Sequence, residues 1–184
     1  MAQRATIHRV KIDLCDTDRQ VYEEIQLSVA RADSETPRRL VARLLAYCLC
    51  YEPEIAFTAG VGSGDEPDVW VKEPGGRVKL WIEVGLPDPL RLSKAARHCE
   101  RVVLLAYGHR LAAWQAEHLS QLETLHNITI AAVDLGFLDQ LVRLVERSIT
   151  WNLTISGGTL YLTSGKNQLE TPLSPIAGPP LLPL

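Results

Sequence analysis

Two carboxylates stand at the ends of a turn-linked pair of apolar segments. Asp68 follows Pro67 and opens Asp-Val-Trp-Val-Lys72, and Glu83 lies near the end of Val78-Lys-Leu-Trp-Ile-Glu-Val-Gly85. The intervening Glu73-Pro-Gly-Gly76 is a turn sequence, so antiparallel pairing would bring both acids to one end of a sheet. Two converging carboxylates suit a hard divalent cation, Mg²⁺ or Mn²⁺, with water and a substrate phosphate in its other positions. Glu83 interrupts Leu80-Trp-Ile and Val84, a segment patterned for burial. An unpaired carboxylate there would be costly or would be neutralised, so Glu83 requires a partner, either a cation or a nearby lysine. Asp68 either begins an edge strand or serves a site, and strands disfavour aspartate.

The elements that must hold these acids are legible in the patterning. Residues 5 to 14 and 20 to 30 alternate apolar and polar positions around Asp16-Thr-Asp-Arg19, which predicts an opening antiparallel hairpin. Ser34-Glu-Thr-Pro37 supplies an N-cap, an early acid and a first-turn proline. Leu40, Val41, Leu44, Leu45 and Cys48 then recur at helical spacing, predicting a helix from about 34 to 50. A short strand is expected over 54 to 58, and Ala59-Gly-Val-Gly-Ser-Gly64 is a loop that delivers Asp65-Glu-Pro-Asp68 to the next strand.

Beyond the hairpin, Asp88 and Pro89 begin a helix whose buried stripe is Leu92, Ala95, Ala96 and Cys99. Arg91, Lys94 and His98 fall together on one flank. Arg101 to Tyr107 has the character of a fully buried strand, followed by a helix near 109 to 124, a strand near 127 to 133 and a helix near 135 to 147. That alternation implies parallel strands with helical crossovers. Further β segments are expected over 149 to 155 and 158 to 163. From residue 174 the chain is a Pro- and Leu-rich tail, expected to be poorly ordered or packed extended on the surface. The reading is one domain over residues 1 to 173 and a tail over 174 to 184.

Composition limits the possible functions. A chain of 184 residues, 46% hydrophobic, can build one core. Its net charge of -3 provides no overall basic field for nucleic acid, so phosphate contacts must come from local groups such as Arg38, Arg39, Arg43, Arg91 and Arg97. Cys15, Cys48, Cys50 and Cys99 lack zinc-site spacing and disulfide density, and the five histidines show no metal spacing. No apolar run reaches membrane-spanning length and no signal peptide is evident, so a cytoplasmic protein is expected. Gly60-Val-Gly-Ser-Gly64 lacks the context of a phosphate-binding loop, and Trp70 and Trp81 have the period-two placement of core residues.

The order helix, strand, strand, helix, strand over residues 34 to 107, with acids at Glu35, Asp68 and Glu83, resembles the core of the PD-(D/E)XK nuclease superfamily. The expected class is therefore a mixed α/β (α+β) fold. It would have a restriction-endonuclease-like core, an N-terminal hairpin and added C-terminal β segments. The resemblance implies that Asp68 and Glu83 hold the metal, and that Glu35 orders metal-bound water unless it is simply a first-turn acid favouring the helix dipole.

That superfamily places a lysine two residues after the second acid, on the same strand face. Here the position is Gly85. A lysine relocated to the following helix would be Lys94, orienting the attacking water, with Arg91 as an accessory phosphate contact; by residue type alone Lys94 is a solvated charge. Ser34-Glu-Thr36, Asp65-Glu-Pro67 with Trp70, Leu80-Trp-Ile-Glu-Val-Gly-Leu-Pro-Asp88 with Arg91 and Lys94-Ala95, and Asn167-Gln-Leu-Glu170 more particularly resemble the bacterial YaeQ family over nearly the whole chain. Two functions are carried forward. One is Mg²⁺-dependent phosphodiester hydrolysis on nucleic acid. The other is a catalytically inactive nuclease-fold protein serving as a binding or regulatory module, linked to nucleic acid or transcription, in which Glu83 and Lys94 form a structural ion pair.

Overall fold

The structure, a computed structural model, describes residues 5–58 and 66–181. The expected loop over 59 to 64 and Asp65 lie outside the described residues. Two long strands open the chain, β1 (Ala5–Asp16) and β2 (Val21–Ala32), paired antiparallel as their alternation requires. The first helix, α1 (Pro37–Leu49), follows. Its N-cap is Thr36, whose side chain accepts from the Arg39 N–H, with Pro37 in the first turn. Glu35 thus precedes the cap and is not a first-turn acid; Ser34 is not the cap. A proline fits the position just inside a helix because the N–H it lacks would have no helical acceptor there, and this moves the start to Thr36.

The strands β3 (Ile55–Phe57), β4 (Val69–Lys72) and β5 (Val78–Val84) form an antiparallel set, with Trp70 directly opposite Trp81. Alternation of β5-α2-β6-α3-β7 then yields the expected parallel strands. Helix α2 is Pro89–His98, β6 is Arg101–Ala106, α3 is Leu111–Leu122 and β7 is Ile128–Ala132. Asp88 caps α2 by accepting from the Leu90 N–H at 2.8 Å.

Helix α4 (Leu135–Val142) is shorter than its pattern predicts. After Val142 the chain tightens into three-residue turns, Leu144 N–H to Leu141 C=O and Val145 N–H to Val142 C=O, and departs for β8 (Ser148–Ser156). Strands β9 (Thr159–Ser164) and β10 (Asn167–Pro172) continue as a meander. Ser174–Ala177 is a further strand, β11, paired antiparallel with β7, so the first residues of the Pro- and Leu-rich segment are part of a sheet. Gly178 follows with φ +78°, and a Cβ there would stand 1.9 Å from the Ile128 carbonyl oxygen. Only glycine allows so close an approach.

The result is a mixed α+β fold with two mixed sheets and, among the described residues, four helices. One sheet has the order β10-β9-β8-β1-β2 and the other β11-β7-β6-β5-β4-β3. Helix α1 is buried from Leu40 through Leu49, and its residues share one core with the inward faces of both sheets and with α4. Val103 and Leu105 of β6 join that core. Val102, Leu104 and Ala106 point to a second core with Leu92, Ala95 and Trp114 of α2 and α3. The period of two along β6 thus separates the two layers that flank the second sheet. No helix among the described residues is long and apolar enough to cross a membrane.

Candidate functional site

The parallel strand β5 ends beside the start of β4, and this sheet end gathers the acids. Asp68 is 2% exposed, Glu83 3% and Glu35 2%. All three lie in a region where a carboxylate needs compensation. Asp68 is fixed through its backbone, whose N–H donates to the Ile82 carbonyl at 3.0 Å. Its Oδ2 accepts from the Val84 N–H at 2.9 Å, and its Oδ1 accepts from Arg39 Nη2 at 2.7 Å, with Arg43 Nε 3.8 Å away. Asp68 is therefore held by the end of β5 and by two arginines of α1.

Glu83 engages different partners. Its Oε1 accepts from Trp81 Nε1 at 2.9 Å and from Arg91 Nε at 2.6 Å. Arg91 also donates to the Glu66 carbonyl, and its guanidinium lies 5.4 Å from the Trp81 ring centroid. Burial first and the Asp68 charge second raise the Glu83 carboxyl, Arg91 and Trp81 offset part of the effect, and the net result is a rise from 4.5 to about 7. The two acids therefore feel one another electrostatically, although Asp68 is tied to α1 and Glu83 to α2. The charge partner that burial of Glu83 demands is Arg91, the residue expected as an accessory phosphate contact.

Glu35 belongs to the same group through Arg43. Arg43 Nη1 donates to both Glu35 oxygens at 3.0 Å, and both side chains are essentially inaccessible. The chain Glu35–Arg43–Asp68 thus runs from the entry of α1 to the start of β4. The Nε–H groups of Arg39 and Arg43 are buried and have no hydrogen-bond acceptor among the described residues. Tyr107, just past β6, completes the surroundings: burial raises its phenol, and the charges of Arg39, Asp68, Arg38 and Glu35 all act on it.

Lys94 is exposed on α2, one turn beyond Arg91, and lines a groove with Arg91 and Trp81. Gly85, where the nuclease pattern has lysine, adopts φ +93°. A Cβ there would meet nothing closer than the Tyr107 ring at 3.9 Å, so space is available but the backbone disfavours any side chain. Among the described residues no three His, Cys, Asp or Glu side chains are grouped so as to hold a metal ion. Asp68 and Glu83 fit a cation only as a two-carboxylate site whose remaining ligands are water or substrate, the usual manner of Mg²⁺. Their oxygen donors are of the right kind, and a cation would relieve the repulsion that the Asp68 charge exerts on Glu83.

Sequence reasoning offered Arg39 and Arg43 only as local basic groups for phosphate, not as partners of the acids, and gave Tyr107 no part in the site. A signal existed for the arginines: Glu35, Arg39 and Arg43 recur every four residues, and Arg43 interrupts the apolar stripe of Leu40, Leu44 and Tyr47. Nothing local marked Tyr107, which joins the group only when β6 pairs with β5.

Comparison with known proteins agrees with this architecture. Residues 1–173 match the family model described as YaeQ protein. The chain is 35% identical to the YaeQ protein of Salmonella typhi over 175 residues, covering 95% of this chain and 97% of that one. It is 33% identical to that of Escherichia coli K12 with the same coverage. The crystal structure of YaeQ protein from Pseudomonas syringae superimposes with a TM-score of 0.92 at 39% identity, covering 97% of this chain and 99% of that one. YaeQ protein from Xanthomonas axonopodis pv. citri gives a TM-score of 0.93 at 28% identity, covering 96% and 100%. With its sequence matched from residue 1 to 173 and its fold shared with solved members, the chain belongs to the YaeQ family.

Proposed function

We propose that this protein hydrolyses phosphodiester bonds of nucleic acid with the help of a divalent cation, through a variant of the PD-(D/E)XK arrangement. The element order α1, β4, β5, α2, β6 and the acids borne on it support that reading. The observation that carries it is the pair Asp68 and Glu83, two buried carboxylates at one sheet end, close enough for the first to raise the second. Asp68 and Glu83 would hold Mg²⁺ or Mn²⁺, which when bound supplies Lewis acidity toward a phosphoryl oxygen. Lys94 orients the attacking water and counters charge developing on the phosphate. Arg39 and Arg43 hold Asp68 in place, and their buried Nε–H groups, which make no hydrogen bond among the described residues, offer donors for a further oxygen at the site. Glu35 positions Arg43 and acts on the site through it.

A second reading draws on the arginines themselves. Asp68 and Glu83 each accept a short charge-assisted hydrogen bond, from Arg39 and Arg91, so the acids are compensated within the chain. On that reading the cluster is structural and the protein is a binding or regulatory module.

Calorimetric titration with Mn²⁺, joined to cleavage assays on single- and double-stranded DNA and RNA, separates the two. Hydrolysis predicts heat of binding and cation-dependent cleavage, both abolished in a folded Glu83→Gln variant. No heat and no cleavage leaves the module. Cation-dependent cleavage retained by Glu83→Gln overturns the assignment of Glu83.

A further inference from the structure

The groove beside Glu83 has a composition that the acid cluster does not explain. It encloses about 730 Å³ between α2 and the strand β5, within the usual range of small-molecule sites. Its charged lining is basic, Arg77, Arg91 and Lys94 with His98 beside them, and no carboxylate is among its described lining residues. Arg91, Lys94 and His98 recur at three- and four-residue steps along α2, so they project as one row. Opposite that row β5 presents Val78 and Trp81, and on α2 itself the strongly exposed Leu90, 72% accessible and one turn before Lys94, adds an apolar edge.

A cationic row facing a half-exposed indole matches a ligand that carries an anion and a flat ring together. We propose that this groove binds a nucleotide unit of single-stranded nucleic acid, its base against Trp81 and its phosphate along Lys94, His98 and Arg77. The inference rests on the nucleic-acid reading above and adds to it a strand preference. An aromatic ring at the side of a groove can stack on a base only when the base is unpaired and turned out of its own stack. Arg91 connects the groove to the candidate centre, since its Nε binds Glu83 while its guanidinium lies by the Trp81 ring. A strand lodged in the groove would therefore run its next phosphate toward Glu83. Arg77 also pairs with Glu100 at 3.4 Å, but both are well exposed and such pairs exchange readily for a phosphate.

The test uses the full chain in EDTA, where cleavage is impossible and binding alone is read. Fluorescence anisotropy with a labelled single-stranded oligonucleotide is compared with its duplex, a nucleoside monophosphate and inorganic phosphate as competitors. Single strands should bind more tightly than duplex, and inorganic phosphate should compete poorly. Lys94→Glu should weaken binding about tenfold or more, as expected for reversing a phosphate contact. Trp81→Leu should weaken it about fivefold or more through lost stacking. Trp81→Phe, which keeps a ring but loses the Nε1 donor to Glu83, should retain most of the affinity and so separates stacking from that hydrogen bond. Affinity unchanged in both Lys94→Glu and Trp81→Leu, duplex held as tightly as single strand, or no single-strand binding overturns the proposal. Binding in EDTA without cleavage in Mn²⁺ leaves the groove assignment standing and removes only the hydrolytic reading.

Discussion

Arg43 donates from one nitrogen to both carboxylate oxygens of Glu35, at 3.0 Å each, with both side chains 1% exposed. The pair sits where α1 is entered, and Asp68, at 3.8 Å from Arg43 Nε, is the nearby carboxylate that would remain if Glu35 were lost. Arg43 would then keep only that longer carboxylate contact, and removing one partner of a buried pair is costly. Glu35→Ala is expected to lower unfolding free energy by about 3–5 kcal/mol. Glu35→Gln, which keeps an acceptor oxygen, should cost less. Urea denaturation of the two variants measures both, and equal stability with the native chain would show that the pair contributes nothing.

Glu83 makes the stability depend on pH in a direction opposite to that of most surface acids. Its carboxyl is raised from 4.5 to about 7 in the fold, chiefly by burial and then by the Asp68 charge. Between those values the folded chain holds a proton that the unfolded chain has released, so stability falls as pH rises. The contribution is complete below the ordinary value of 4.5 and is lost as pH passes through about 7. Relative to Glu83→Gln, the native chain should lose up to about 3 kcal/mol across that interval. Asp68→Asn should shift the transition to lower pH by removing the second cause. Chemical denaturation at pH 5, 6, 7 and 8, values chosen to span roughly the titration of one group, provides the comparison. Parallel pH profiles for native chain and Glu83→Gln would refute it.

Placing a lysine at position 85 should harm the protein rather than improve it. Gly85 has φ +93°, and a Cβ would find open space no closer than 3.9 Å from Tyr107. The obstacle is therefore the backbone, not crowding. Gly85→Ala and Gly85→Lys should each lower stability by about 1–3 kcal/mol, with similar values because the cause is shared. Thermal unfolding of the pair is the check, and a large excess loss in the lysine variant would point to packing instead.

Lys94 gives the complementary case. It is exposed on α2, so Lys94→Ala should change stability by no more than about 0.5 kcal/mol. If Lys94 orients the attacking water, the same variant should reduce cation-dependent cleavage about a hundredfold or more. Full cleavage by Lys94→Ala would remove it from the mechanism, and the relocated-lysine argument with it.

What the sequence disclosed depended on how local the determining physics was. The hairpin of β4 and β5, the cap at Asp88 and the alternation that lays β5, β6 and β7 parallel follow from periodicity and turn chemistry within short windows. The placement of Asp68 and Glu83 at one sheet end followed from the same reasoning. The partners did not, because Arg39 and Arg43 reach Asp68 only after α1 is enclosed between two sheets. Strand β10 was obscure for a different reason: it lies on a sheet edge, is mostly exposed and ends in Pro172, so its pattern barely alternates. At Gly85 the letter was readable as a missing lysine, but the φ that makes glycine necessary could be seen only in the folded strand end.

Helix α1, enclosed from Leu40 to Leu49, carries Arg43 in its interior and Arg39 at its margin. Its position turns the acid cluster into a reporter of the whole fold. Whatever alters charge at Asp68 is transmitted to a helix that both sheets grip, so a bound cation or phosphate should register in the melting temperature of the entire chain. Occupancy of the site can thus be followed by thermal denaturation across a ligand series, before any substrate is known.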